Sequence, residues 1–100
     1  IAVVTEFGRT VRVNGTRGTD HGTGTAALLL GGAVNGGRVV TDWPGLATLY
    51  EDRDLSPTTD LRSVFKSVLL DHLAITPGIV ERSVFPDSAA ARTVPDLIHV

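Results

Sequence analysis

Cysteine is missing from all 100 residues, which excludes disulfides, thiolate metal ligands and a thiol nucleophile. Methionine is missing too, and the chain opens directly on the apolar string Ile1-Ala2-Val3-Val4. With no start residue ahead of that string, the expectation is a piece of a longer polypeptide, some of whose site residues lie elsewhere. Long hydrophobic runs are also lacking: the stretch Ala26 to Leu30 is far too short to cross a bilayer, and no charged-then-apolar leader precedes it. Nor is there a basic cluster. Nine basic residues are scattered among eleven acidic ones for a net charge of −2, so no electrostatic footprint for nucleic acid is present.

What remains is a composition of 42% hydrophobic and 20% charged residues, that of a packed protein with a single core. Ile1 to Thr5 is a continuous apolar, β-branched run, which predicts a strand buried on both faces as in a parallel sheet. Its end carries Glu6-Phe7-Gly8. From Arg9 to Thr25 the chain is glycine, threonine and charge, a long loop in which Thr10 to Asn14 alternates briefly and can pair as an edge ribbon. Ala26 to Gly31 predicts a second strand, Gly32 to Gly37 a turn and Arg38 to Thr41 a third strand. Leu61, Val64, Phe65, Val68, Leu69 and Leu73 share one helical face and predict an amphipathic helix packed on the sheet. Thr58 or Thr59 suits its cap, with Asp60 at the positive end of its dipole. Thr76 as a cap and Pro77 at the first helical position start a second, short helix running to about Val84, and Phe85-Pro86 ends it. The tail "VPDLIHV" reads as a last strand or a mobile end. This order of elements is that of an α/β layered domain with a mainly parallel sheet.

Sites in such sheets gather in the loops after the strand ends. Glu6 leaves one such edge, and Asp20-His21 sits in the following loop. Carboxylates suit a hard divalent cation such as calcium, and zinc and manganese also accept imidazole, so Glu6, Asp20 and His21 form a partial ligand set. The competing reading makes Asp20 an Asx-turn residue, His21 a surface imidazole and Glu6 a partner for Arg9 or Arg17. Arg9, Arg12 and Arg17 flank the loop and are able to hold an anionic group through paired hydrogen bonds, or to serve as solvated ion pairs. The glycines lack the endings of a P-loop and of a dinucleotide fingerprint, which excludes nucleotide binding. Trp43 reads as an anchor packing its turn onto the core.

The strings "VVTEFGRT", "GTDHG", "LLLGGAVNGGRV", "DWPGL", "LSPTTDLRSVFKSVLLDHLAI" and "VFPDS", in that order, resemble the carboxyl-terminal part of a bacterial family known as domain of unknown function 1501. The resemblance covers Ile1 to about Ser88. Its members resemble the alkaline phosphatase and sulfatase superfamily, which implies an α/β/α sandwich with a divalent metal site. By that resemblance Glu6 stands at the position of the superfamily's strand-end carboxylate ligand, Phe7 replaces a histidine, and His21, with Asp20 beside it, corresponds to a later metal-binding histidine. The nucleophile and the earliest ligands of the superfamily have no counterpart here. The implied parent is a metal-dependent hydrolase of phosphate or sulfate esters, acting on an anionic small molecule or polymer, or a relative that lost catalysis. An exported or periplasmic location is implied in the same way. The isolated chain is expected to be inactive, and strand edges left open by truncation to favour self-association. The alternative is a non-catalytic binding or structural module on the same scaffold.

Overall fold

Turns and close backbone approaches, more than hydrophobic burial, organise the first part of the chain. The computed structural model describes residues 1–99. They divide into two compact units: Ile1–Leu29 with Val40–Thr59, and Leu30–Val39 with the chain from Asp60 onward.

The first unit contains four two-residue strands, β1 (Ala2–Val3), β2 (Gly8–Arg9), β3 (His21–Gly22) and β4 (Leu28–Leu29). β1 pairs with β4 and β2 with β3, both antiparallel. The class is mixed α and β, but these pairings differ from the parallel sheet that the apolar run predicts. A parallel strand is stable when both of its faces are covered, and here Ile1, Val3, Val4 and Leu28 all remain exposed. The chain instead folds back on itself: β2 and β3 pair across the loop between them, and β1 and β4, which flank that hairpin, pair in the same antiparallel sense. Arg38 to Thr41 forms no strand, and Val39 and Val40 are exposed. Trp43, expected to anchor its turn, is 61% exposed.

Among the described residues of this unit, the buried positions are Gly8, Thr10, Gly22 and Asp54. Its centre is therefore polar, and glycine makes it dense. A Cβ on Gly8 would stand 1.8 Å from the Gly24 carbonyl oxygen, and one on Gly24 would stand 2.5 Å from that of Leu55. Backbone segments touch where side chains would keep them apart. The Thr5 and Thr25 hydroxyls, 2.9 Å apart, join the chain at the ends of β1 and the loop.

In the second unit, α1 (Leu61–Ser67) continues through a π-helical turn at Val68–His72. The cap is Asp60 rather than either threonine: its carboxylate accepts the Arg62 N–H at 2.9 Å. Arg62 also closes on it through the guanidinium, and these bonds hold the Asp60 carboxyl below its ordinary range. α2 (Pro77–Ile79) begins with Pro77 in the first turn and runs into a second π-helical turn, Val80–Val84, that ends at Phe85. The face of α1 that is buried is Ser63, Lys66 and Ser67, while the apolar stripe of Val64, Phe65, Val68 and Leu69 is only half-buried. Ser67 Oγ lies 3.0 Å from the carbonyls of Ser63 and Val94 and accepts the Val94 N–H at 2.8 Å. Val80, Ala91, Leu97 and Ile98 form the apolar core. The tail is bonded: Ile98 bridges Val34, Asn35 donates to the Leu97 carbonyl at 2.9 Å, and His99 donates to that of Ala33 at 2.8 Å. Val100 lies outside the described residues.

Candidate functional site

The glycine and threonine loop is an ordered hairpin. Asn14 organises its tip: Asn14 Oδ1 accepts the N–H groups of Thr16 and Gly18, both at 3.0 Å, and the Thr16 hydroxyl at 2.9 Å. These bonds offset the left-handed backbone of Arg17, whose φ is 65°. At the base, Thr10 and Asp20 clasp each other, Thr10 N–H to the Asp20 carbonyl at 3.0 Å and Asp20 N–H to Thr10 Oγ1 at 3.1 Å. The clasp fixes the register that sets Arg9 opposite His21. Directly opposed residues of an antiparallel ladder present their side chains on one face, so guanidinium and imidazole share a side.

That side opens into a depression of about 370 Å³ lined by Arg9, Thr19, Asp20 and His21. Arg9 is held at its edge: Nε donates to Thr19 Oγ1 at 3.0 Å, and a terminal nitrogen donates to the Thr19 carbonyl. The Asp20 carboxylate accepts from Asn14 Nδ2 at 3.0 Å. The His21 ring stacks on Phe7, centroids 3.9 Å apart and planes inclined by 26°. Of the six residues singled out in the sequence, Arg9, Asp20 and His21 line the depression; Glu6, Arg12 and Arg17 are exposed and do not line it, and Arg12 pairs instead with Asp52 at 2.9 Å. The arrangement offers arginine and threonine donors and an imidazole to an anion, with one carboxylate able to take a cation or a proton.

A resident metal fits less well. Among the described residues, no three histidine, aspartate or glutamate side chains assemble into a metal-binding group. Asp20 and His21 supply two donors, short of the three or four that zinc takes from protein.

Asp54 is a residue that sequence reasoning passed over. It is completely buried, and Oδ2 accepts the Thr23 N–H at 2.7 Å, two residues past His21. No group among the described residues donates to Oδ1. A turn whose two central residues, Glu51 and Asp52, both have positive φ (50° and 58°) delivers it, closed by Arg53 N–H to the Tyr50 carbonyl at 3.1 Å. The string Glu51-Asp52-Arg53-Asp54 reads as a solvated charge run; its one sequence signal is the two-residue turn that follows Tyr50.

No helix among the described residues is long and apolar enough to cross a membrane. Comparison with curated proteins and with solved structures gives no match. A family model does match, over residues 1–98, nearly the whole chain. The strings that carried the resemblance lie within that span, and the chain belongs to the family described as protein of unknown function DUF1501.

Proposed function

We propose that this chain contributes an anion-facing part of the site of a metal-dependent hydrolase of phosphate or sulfate esters. The observation that carries the reading is the register pair Arg9 and His21 over an open depression, with Arg9 anchored on Thr19. Arginine recognises tetrahedral oxyanions through paired hydrogen bonds, and a guanidinium already tethered loses little freedom on binding. In this reading Arg9 binds the ester's non-bridging oxygens, and Asp20 and His21 stand beside them as this chain's share of the metal site. Arg17 serves to attract the anion from the loop tip.

A divalent metal, whether zinc, manganese or calcium, enters the proposal as a group held in part by Asp20 and His21, with Glu6 nearby in sequence and further donors from outside the chain. The wider architecture belongs to the proposal as well: an alkaline-phosphatase-like sandwich with this chain in its carboxyl-terminal part. It is supported by the apolar side chains of Ile1, Val3, Val4 and Leu28 standing exposed around a polar centre, as strand residues do when a larger sheet is meant to cover them. An exported location follows from the family resemblance alone.

The test has two parts. Titration of the chain with inorganic phosphate and sulfate should show binding that Arg9→Ala removes and Arg17→Ala weakens by less than threefold. A longer natural protein containing this chain should keep divalent metal through dialysis and cleave an aryl phosphate or aryl sulfate. Metal-free protein without turnover would end the hydrolase reading. The second reading, a non-catalytic module, is favoured by the Phe7 ring covering one face of His21; it predicts that alanine at Glu6, Asp20 and His21 leaves partner binding intact.

A further inference from the structure

The buried carboxylate of Asp54 has no part in the depression and yet is fixed to the loop that forms it. Every link is short. Thr10 is bonded to Asp20 and bridges Asp54 through the backbone, Asp54 pairs with Tyr50 across its turn, and Oδ2 takes the Thr23 N–H at 2.7 Å. Gly22 lies between: a Cβ there would stand 2.9 Å from the Arg9 carbonyl oxygen and 3.0 Å from Asp54 Oδ2. The absence of a side chain at Gly22 is therefore what admits the carboxylate against the strand carrying His21.

Two features separate this from ordinary loop packing. Burying Asp54 with an undonated Oδ1 is costly, and what its side chain gains there is the bond from the Thr23 N–H. The turn that delivers Asp54 also places two consecutive non-glycine residues in the left-handed region, which is unfavourable for both. A strained turn leading to a fully buried carboxylate, directly behind a candidate site, marks a group retained for what it positions.

We infer that Asp54 is a positioning residue: by holding the Thr23 N–H it fixes the β3 backbone, keeps the His21 imidazole against Phe7, and so sets the imidazole's place beside Arg9. The link to anion binding rests on the function proposed above; the link to His21 does not.

The experiment uses the whole chain and reads the imidazole Hε1 resonance of His21 by NMR, because a ring stacked on Phe7 is shifted upfield by the phenyl ring current. His72, a residue of the second unit, is the internal control. Asp54→Leu has a similar branched shape without acceptors and removes the hold on Thr23; Asp54→Asn keeps one acceptor. The expected result is that Asp54→Leu loses the upfield shift of His21 and speeds amide exchange at Thr23 at least tenfold, while Asp54→Asn keeps both near wild type and His72 stays unchanged throughout. A folded Asp54→Leu protein with the His21 signal unmoved would overturn the inference. So would a folded Asp54→Asn protein that loses the signal, which keeps the test decisive if the leucine variant fails to fold. Phosphate titration is run in parallel: binding should weaken at least fivefold in Asp54→Leu. Wild-type protein that binds no phosphate would sink the anion site alone, since the ring shift is read without ligand.

Discussion

The phenyl ring of Phe7 lies against the imidazole of His21, centroids 3.9 Å apart, one residue ahead of the strand that pairs with His21. Stacked rings at this separation exchange dispersion and exclude water from one imidazole face. In the proposed metal-site reading Phe7 stands where a histidine ligand is expected, and its ring covers one face of the His21 imidazole.

Phe7→His should place a second imidazole beside His21, and rotation of either ring out of the stack would bring an in-plane nitrogen toward a shared ion. Two imidazoles and the adjacent Asp20 carboxylate would make a three-donor set of the kind zinc accepts. Zinc affinity, measured by calorimetry on the whole chain, should rise at least tenfold over wild type. Unchanged affinity would show that the stack does not mark a lost ligand position.

The glycines of the loop divide into two kinds, and substitution should separate them. Gly8→Ala drives a Cβ into the Gly24 carbonyl oxygen, at 1.8 Å, with backbone on both sides of the clash. It should cost about 3 kcal/mol or more. Gly15 has nothing within 4 Å of the same atom, so Gly15→Ala should be neutral or stabilising by up to about 1 kcal/mol through the unfolded chain. Urea midpoints of the two variants check the contrast.

These cases show what was legible in the residues and what was not. The approximate start of α1, the Pro77 start and the Phe85 stop are local events, legible within a few positions, although Asp60 rather than a threonine caps α1 and Thr76 makes no side-chain cap bond. Asp20 and His21 were readable as a loop pair because glycine marks the loop. Which glycines permit close approach depends on Leu55, some thirty positions away, and no spacing reveals that. Asp54 was hidden for the same reason: its partner, Thr23, is fixed by the hairpin register. The apolar stripe of α1 was legible as a stripe, but hydrophobic patterning does not guarantee burial, and the neighbouring Ser63, Lys66 and Ser67 took the covered face.

At the head of α1, Asp60 caps the first turn while Arg62 holds its carboxyl below the usual range, mainly through the side-chain hydrogen bond. A depressed carboxylate contributes stability that is present above its unfolded value of about 3.9 and is lost as pH falls through the folded one. Asp60→Ala should thus cost about 1 kcal/mol at neutral pH, nearly all of it from the cap, because the ion pair is largely open to solvent. The gap to wild type should narrow below about pH 4. Asp60→Asn, which caps without charge, should show a flatter acid dependence. Urea unfolding at pH 7, 5 and 3 checks all three proteins.

Lys66 presents the sharpest energetic choice in the second unit. It is 1% exposed, and its ammonium donates to Glu81 Oε1 at 2.8 Å, to Glu81 Oε2 at 2.9 Å and to the Ser88 carbonyl at 2.7 Å. If the ion pair dominated, Glu81→Ala and Lys66→Ala would cost the same. Glu81 is 43% exposed, however, so water can replace its carboxylate, and the loss should be about 1 kcal/mol. Lys66→Ala removes a buried four-carbon stem and strands the Ser88 carbonyl, which should cost about 3 kcal/mol. Lys66→Met refills the stem's volume without a charge to desolvate, and should recover about half of that loss. Denaturation midpoints in the order wild type, Glu81→Ala, Lys66→Met, Lys66→Ala would assign the stability to packing around the stem, whereas equal losses for the two alanine variants would assign it to the charge pair.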